Sequence, residues 1–205
     1  VDDLHAITPD RYLEIGDSVL HTLSWQMARH MNVAVRGVFV ANPGYVFGPA
    51  GIPRGAVLIE LGGQPVATVE DATRILGSLP DGTLVPVKYF TLEDTRSPQL
   101  KSLRVDRRWF PARRCHRDDA LGLWPCEALP EPPPAPVPEP ASTVFSASGD
   151  KPADALAPSL VMVSFTMPFS VAGVTERNYQ GTGVIVDAAR GLVAVDRNTV
   201  PEALG

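Results

Sequence analysis

The stretches GVFV (residues 37–40), AGIPRGAVLI (50–59) and GGQPV (62–66) decide the fold. Aliphatic and β-branched residues dominate 37–41 and 56–61, which predicts two short strands. The pair Gly62-Gly63 predicts a hairpin turn directly after the second strand, because glycine readily adopts the positive φ angles that such a turn needs. The centre of this segment is therefore built from strands and tight turns.

Two helices and two further strands surround this centre. Residues 24–31 predict a short helix with Ser24 as its N-cap. Residues 69–79 predict a longer helix with Thr68 as its N-cap and an apolar face that includes Ala72, Ile75 and Leu76. Residues 83–90 alternate like a half-buried strand, and residues 100–105 can pair back onto it. The fold class is therefore α+β.

These stretches, in this order, resemble the PDZ domain attached to HtrA-type (Deg) serine proteases. The resemblance covers residues 12–105 and implies a partly open β-barrel or sandwich with two helices. The sequence departs from the family pattern at Ala56, where Asp is usual, and at Gly63, where Asn is usual. Both positions shape turns, so we expect the fold itself to be retained.

The resemblance also implies a groove that binds an extended peptide by adding it to a sheet edge beside a helix. The edge strand falls at residues 18–21, and the loop that holds a terminal carboxylate falls at 14–17. The implied peptide-binding residues are Ile15, Gly16, Asp17, Ser18, Val19, Leu20, His21, Ala72, Ile75 and Leu76. Because the Asp17 carboxylate would repel a terminal carboxylate, an internal peptide or a strand of the same protein is an alternative occupant.

Residues 161–165, 181–186 and 191–195 predict three strands near the end of the chain. They resemble the first strands of the trypsin-like barrel of HtrA proteases, and Asn198 stands where that family has its catalytic histidine. Asparagine cannot act as the base of a Ser-His-Asp triad. The arrangement is that of the long, duplicated HtrA-like proteases, in which a degenerate protease domain follows a PDZ module. We therefore expect an incomplete barrel and a non-catalytic segment.

Composition divides the chain into five parts. A short segment (1–11) precedes the PDZ region, and an arginine-rich extension (106–128) follows it. A proline-rich flexible linker is expected at 129–158, since proline supports neither helix nor ladder, and the partial barrel occupies 159–205. The chain starts with Val1 and stops after a strand-like run, so we expect it to be part of a longer polypeptide.

The bulk composition limits the classes of partner that we expect this chain to bind. The net charge of −5 and the pI of about 5.3 argue against a nucleic-acid-binding surface, so we expect the arginines of 104–117 to pair with acids such as Asp106, Asp118 and Asp119. No stretch has the length of a membrane span, so no membrane partner is expected. No cofactor motif is present, and neither the compartment nor the oligomeric state follows from the sequence.

Two cysteines, Cys115 and Cys126, leave three alternatives open: free thiols, one disulfide, or a metal site together with His116. The absence of C-x-x-C spacing argues against the metal site.

Three functional hypotheses remain. The segment is a peptide-binding module that selects substrates for an HtrA-like serine protease, or an assembly module whose groove is filled by its own protein, or part of an active endopeptidase. A free edge at residues 18–21 would favour recognition, and a paired edge would favour assembly.

Overall fold

A computed structural model describes residues 7–91, 93–135, 144–168 and 178–200. The chain divides into two compact units, residues 1–137 and 138–205. The described part is α+β, with mostly antiparallel sheets and no closed barrel, as predicted. No helix in the described part of the chain is long and apolar enough to cross a membrane.

The first unit contains nine strands and three helices. The strands are β1 (Arg11–Ile15), β2 (Ser18–Thr22), β3 (Val38–Asn42), β4 (Val57–Leu61), β5 (Gln64–Pro65), β6 (Leu84–Phe90), β7 (Gln99–Arg104), β8 (Arg113–His116) and β9 (Cys126–Ala128). The helices are α1 (Trp25–Met31), α2 (Gly44–Phe47) and α3 (Val69–Gly77). All the strands lie in one sheet of order β7-β6-β4-β3-β2-β1-β8-β9, with β5 paired to β4.

The predicted central elements are confirmed with small shifts of their ends. Gly62 and Gly63 have φ angles of 58° and 75° and join β4 to β5 as a two-residue turn. Helix α2 was not predicted, because Asn42-Pro43-Gly44 was assigned to a simple turn. Helix α3 ends at Gly77, two residues earlier than predicted, and its apolar face packs into a buried core that also contains residues of β1, β2, β4 and β6.

Helix α3 begins at the predicted N-cap Thr68, which also forms a capping box with Asp71. The Thr68 hydroxyl accepts from the Asp71 amide at 3.4 Å, and the Asp71 carboxylate accepts from the Thr68 amide at 3.2 Å. The Thr22 hydroxyl on β2 also accepts from the Val69 amide at 2.9 Å, which ties the start of the helix to the sheet. The position of α3 over the sheet is therefore fixed at its first turn.

We expect Thr68→Ala to lower the free energy of unfolding by about 1 kcal/mol, because one first-turn amide loses its acceptor. The matched control is Thr68→Ser, which keeps the hydroxyl and is expected to stay close to the wild type. Chemical denaturation of the three proteins measures the difference. An alanine variant as stable as the serine variant would show that the cap contributes nothing.

Asp71 makes this cap dependent on pH. Hydrogen bonds from the backbone amides of Ala67 and Thr68, with that of Ala67 the larger effect, hold the pKa of the Asp71 carboxyl below its usual value. A lowered native pKa adds stability above the unfolded pKa of about 3.9, and this stability is lost as the pH falls through the native value. We therefore expect Asp71→Asn to be less stable than the wild type at neutral pH, with a gap that closes in acid. A gap of constant size from neutral pH into acid would contradict this linkage.

The second unit contains helix α4 (Lys151–Leu156), a 3₁₀ turn (Ala157–Ser159) and a three-stranded antiparallel sheet. Its strands are β10 (Leu160–Thr166), β11 (Asn178–Asp187) and β12 (Leu192–Val195), at the three predicted places. Helix α4 lies inside the predicted flexible linker, where Asp150 caps it and Pro152 occupies its first turn. The residues 136–143 of that linker lie outside the described part of the chain.

Candidate functional site

The region assigned to peptide binding is built around a hairpin. Strands β1 and β2 pair antiparallel, with Leu13 opposite Leu20 and Ile15 opposite Ser18, and residues 16–17 form the turn. Gly16 and Asp17 have φ angles of 54° and 58°, which suit a two-residue hairpin turn of type I′. The predicted carboxylate-binding loop at 14–17 is thus a closed turn rather than an open nest of amides.

The turn is enclosed by the short helix α2 and the residues before it. Gly16 is buried, and a Cβ at this position would come within 2.0 Å of a Val46 methyl group. The Gly16 carbonyl accepts from the Tyr45 amide at 2.8 Å, and the Asp17 carbonyl accepts from the Asn42 side chain at 2.9 Å. Both carbonyls of the turn therefore have partners, and Val46 fills the space beside Gly16.

Strand β2 has no free edge in the structure. It pairs with β1 on one side and with β3 on the other, where His21 lies opposite Phe39. The expectation of an open edge at residues 18–21 is therefore wrong. The reason is that residues 11–15, of which only the last two were assigned to the carboxylate-binding loop, form a strand that takes the place beside β2.

Strand β1 also fills the apolar surface that α3 was expected to offer to a ligand. Leu13 and Ile15 are fully buried and belong to the same core as Ala72, Ile75 and Leu76. Arg11 reaches the helix from the outer end of β1 and forms an ion pair with Glu70 at 3.1 Å. Of the residues assigned to the groove, Leu20, Ala72, Ile75 and Leu76 thus meet around a strand of the same chain, whereas His21 lines a groove on the opposite face of the sheet.

The arginine-rich extension closes the other edge of β1. Strand β8 pairs with it, from Arg11 opposite His116 to Glu14 opposite Arg113, and β9 pairs with β8 at the end of the sheet. Cys115 and Cys126 lie directly opposite each other on these two strands and form a disulfide. Of the three alternatives for the cysteines, the structure shows the disulfide.

The arginines of this extension pair with carboxylates, as expected from the acidic composition. The Arg113–Glu14 pair links β8 to β1, and the Arg114–Glu127 pair at 2.9 Å links β8 to β9. The pairs Arg108–Asp106 and Arg117–Asp119 each have a distance of 2.6 Å, and Arg107 pairs with Asp81 at 2.8 Å. Burial alone would raise the pKa of the Asp106 carboxyl, but the hydrogen bonds from Arg108 outweigh it and hold that pKa below its usual value.

His21 is half-buried and stacks on Phe39 with 5.1 Å between the ring centroids. Its Nδ1 donates to the Thr22 carbonyl at 2.8 Å. Burial lowers the pKa of the imidazole, and the hydrogen bond to Thr22 only partly offsets that effect. The ring is therefore neutral at physiological pH and contributes a largely apolar surface.

A second groove of about 560 Å³ runs along the other side of α3. Arg74, Gly77 and Ser78 line it from the helix, and Ala128, Leu129 and Pro130 line it from β9 and the following residues. Its charged side chains are already paired, since Arg114 contacts Glu127 and Arg74 lies 3.6 Å from Asp71. The described residues contain no cluster of His, Cys, Asp or Glu suited to a metal ion.

The described geometry therefore shows a sheet with a helix packed over a central hairpin. A family profile described as "PDZ-like domain" matches residues 6–82. This segment is a PDZ-like domain. The strands β6 and β7 lie beyond the match but complete the same sheet.

Almost the whole chain, not only the PDZ-like domain, is similar to one class of curated protein. It is 35% identical to the pro-apoptotic serine protease nma111 of Aspergillus terreus, 34% to that of Neosartorya fischeri and 33% to NMA111 of Coccidioides immitis, each over 98% of this chain. These relatives are HtrA-like serine proteases. The chain spans about 20% of their length.

Sequence reasoning missed β1 as the occupant of the groove, although a signal for it was present. Leu13 and Ile15 alternate with polar residues before Gly16-Asp17, and an alternating run on each side of a two-residue turn indicates a hairpin. The pattern of Leu13 and Ile15 was not used because the resemblance assigned residues 14–17 to a ligand-binding loop.

Proposed function

We propose that this segment is a non-catalytic module of an HtrA-like serine protease in which the PDZ-like groove is filled by the chain's own strand β1. Such a module serves assembly and regulation within its protein and does not capture free C-termini at β2. The observation that carries the proposal is the pairing of β1 with β2, with Leu13 and Ile15 buried in the core beneath α3.

The direction of β1 supports this proposal. A ligand of a PDZ groove runs antiparallel to the edge strand and ends at the loop before it. Strand β1 runs antiparallel to β2, and its last residue, Ile15, leads into the turn at Gly16 and Asp17. An internal strand in this place has high effective concentration, because only two residues join it to β2. A peptide in solution would have to displace it.

The end of the chain supports the non-catalytic part of the proposal. Asn198 follows β12 in an exposed turn, where its amide donates to the Asp196 carboxylate at 2.6 Å. An asparagine side chain has no proton-accepting nitrogen to serve a serine nucleophile. Peptide hydrolysis, if the protein shares it with its relatives, then depends on residues beyond this segment.

Peptide binding tests the proposal directly. The chain is titrated with peptides that end in apolar residues, each with a free and with an amidated C-terminus, and an open-groove PDZ domain with its own ligand serves as the positive control. We expect no binding that depends on the free carboxylate. Selective binding of the free-carboxylate peptides, with chemical-shift changes centred on residues 16–20, would overturn the proposal.

A further inference from the structure

A row of aromatic rings crosses the face of the sheet opposite to the buried Leu13 and Leu20. Tyr12 on β1 and Trp124 have ring centroids 5.3 Å apart, and His21 on β2 and Phe39 on β3 have centroids 5.1 Å apart. All four rings line one groove, so the two pairs of rings lie side by side. We call Trp124, Tyr12, His21 and Phe39 the aromatic row.

The aromatic row forms the floor of an open groove of about 400 Å³. Trp124 is 42% exposed, and the other three rings are half-buried. The start of α1 provides one wall through Ser24, Gln26 and Met27, and residues 8–9 provide another. The groove lies on the opposite face of the hairpin from the core, so it is separate from the place that β1 fills.

One polar atom of this wall is left without a partner. The Oε1 atom of Gln26 is buried and has no hydrogen-bond partner in the described part of the chain, while its Nε2 donates to the Thr8 hydroxyl at 3.3 Å. Oxygen and nitrogen of an amide can exchange places by rotation of the group. If Gln26 turns, Oε1 accepts from Thr8, and Nε2 takes the buried position of Oε1, which a ligand reaches only if the side chain moves.

These features fit a polyproline II segment. Grooves lined by aromatic rings bind proline-rich segments, because the rings pack against the proline faces while side-chain donors bind the free backbone carbonyls. Four rings at a strand spacing of about 4.8 Å span about 15 Å, which is the length of about five residues at about 3.1 Å each. The indole N–H of Trp124 supplies a donor at one end of this length.

The chain carries a segment of this chemistry at residues 130–135, PEPPPA. It has no helix or strand, and Pro133 and Pro134 are exposed. Within one chain, however, the segment begins at the far end of β9 from Trp124, where Pro130 lines the groove beside α3. We propose that the aromatic row binds residues 130–135 of a second copy of this chain. This goes beyond the proposed function and uses a different surface.

The first test is binding of a synthetic peptide of residues 130–135 to the chain, followed by isothermal titration calorimetry, a readout that every variant retains. We expect Trp124→Ala to weaken binding at least about tenfold, because a few large aromatic side chains contribute most of the binding energy at an interface. The matched control is Trp109→Ala, which removes a tryptophan that is 53% exposed and does not line the groove. Equal affinities of the two variants would overturn the proposal.

The second test separates proline chemistry from general apolar contact. A peptide with Pro132, Pro133 and Pro134 replaced by glycine keeps its length but loses the preformed extended helix, and we expect it to bind at least about tenfold more weakly. A glycine peptide that binds as well as the proline peptide would also overturn the proposal.

The third test identifies the source of the segment. We expect sedimentation analysis of the chain to show self-association that rises with concentration, persists in Trp109→Ala and is lost in Trp124→Ala. A chain that binds the peptide but stays monomeric at every concentration would rule out the second copy as the occupant. Because the row includes Tyr12 of β1, it requires β1 to pair with β2, but it lies on the other face of the hairpin from the core. A failure of these three tests therefore leaves the filled groove intact, and the titration with free and amidated C-termini tests that groove separately.

Discussion

Leu13→Ala is expected to lower the free energy of unfolding by about 3 kcal/mol, because the leucine is fully buried between the sheet and α3. Strand β1 lies inside the sheet, between β2 and β8, so the lost packing affects the unit as a whole and not a frayed edge. Chemical denaturation followed by circular dichroism measures the change.

The matched control for this substitution is Leu100→Ala on β7. Leu100 is a strand leucine that is 67% exposed, so its truncation is expected to change stability by no more than about 0.5 kcal/mol. If Leu13→Ala lowers the free energy of unfolding by no more than Leu100→Ala does, then β1 does not lie in the core. Strand β1 would then not fill the groove.

Arg107→Ala is expected to be the second most destabilising of the changes considered, at about 2–3 kcal/mol. The side chain is only 7% exposed and forms an ion pair with Asp81 at 2.8 Å. It also donates to the carbonyls of Leu76 and Leu79, at the end of α3. Its removal leaves these carbonyls without a hydrogen-bond donor and the Asp81 carboxylate without its ion-pair partner.

Two comparisons make the Arg107 result specific. Arg114→Ala breaks an ion pair whose side chains are 54% and 65% exposed, and such pairs contribute about 0–1 kcal/mol. Arg107→Lys keeps the charge but not the planar fork that reaches several acceptors, so it is expected to fall between the alanine variant and the wild type. A lysine variant as stable as the wild type would show that only the charge matters.

The sequence was sufficient to predict those elements whose local signals agree with the final packing. Thr68 followed by Asp71 marks the start of α3, and Gly62-Gly63 marks a turn, because both features depend on neighbours in sequence. The strands of the second unit were found for the same reason, since aliphatic residues dominate each of the three runs.

The strands that pair with β1 could not be predicted from such local signals. The residues around Leu13 and Ile15 do not indicate whether the outer edge of β1 faces solvent, a ligand or another strand. In the structure this edge pairs with β8, which lies about one hundred residues later in the chain. The disulfide depends on the same long-range contact, because Cys115 and Cys126 become opposite only after residues 118–123 turn the chain back. The strand that lies beside β2 could therefore not be predicted from the residues around it.

The extension after the PDZ-like domain has a structural role in this account. Strands β8 and β9 cover β1 and hold its outer edge by pairing, by the Arg113–Glu14 contact and by the nearby disulfide. An occupant of the groove that is linked to β2 by a turn and covered on its other edge is held from both sides. Release of β1 then requires the extension to detach first.

Hydrogen exchange at two neighbouring amides of β2 tests the filled groove most directly. Hydrogen-bonded pairs alternate along the β1–β2 ladder from Ile15 and Ser18, so the Leu20 amide points to β1. On the other side the Leu23 amide donates to the Gly37 carbonyl at 2.9 Å, so the His21 amide points to β3. The account predicts strong and similar protection of the Leu20 and His21 amides. Rapid exchange at Leu20 with continued protection at His21 would show that the edge of β2 is open, and would contradict it.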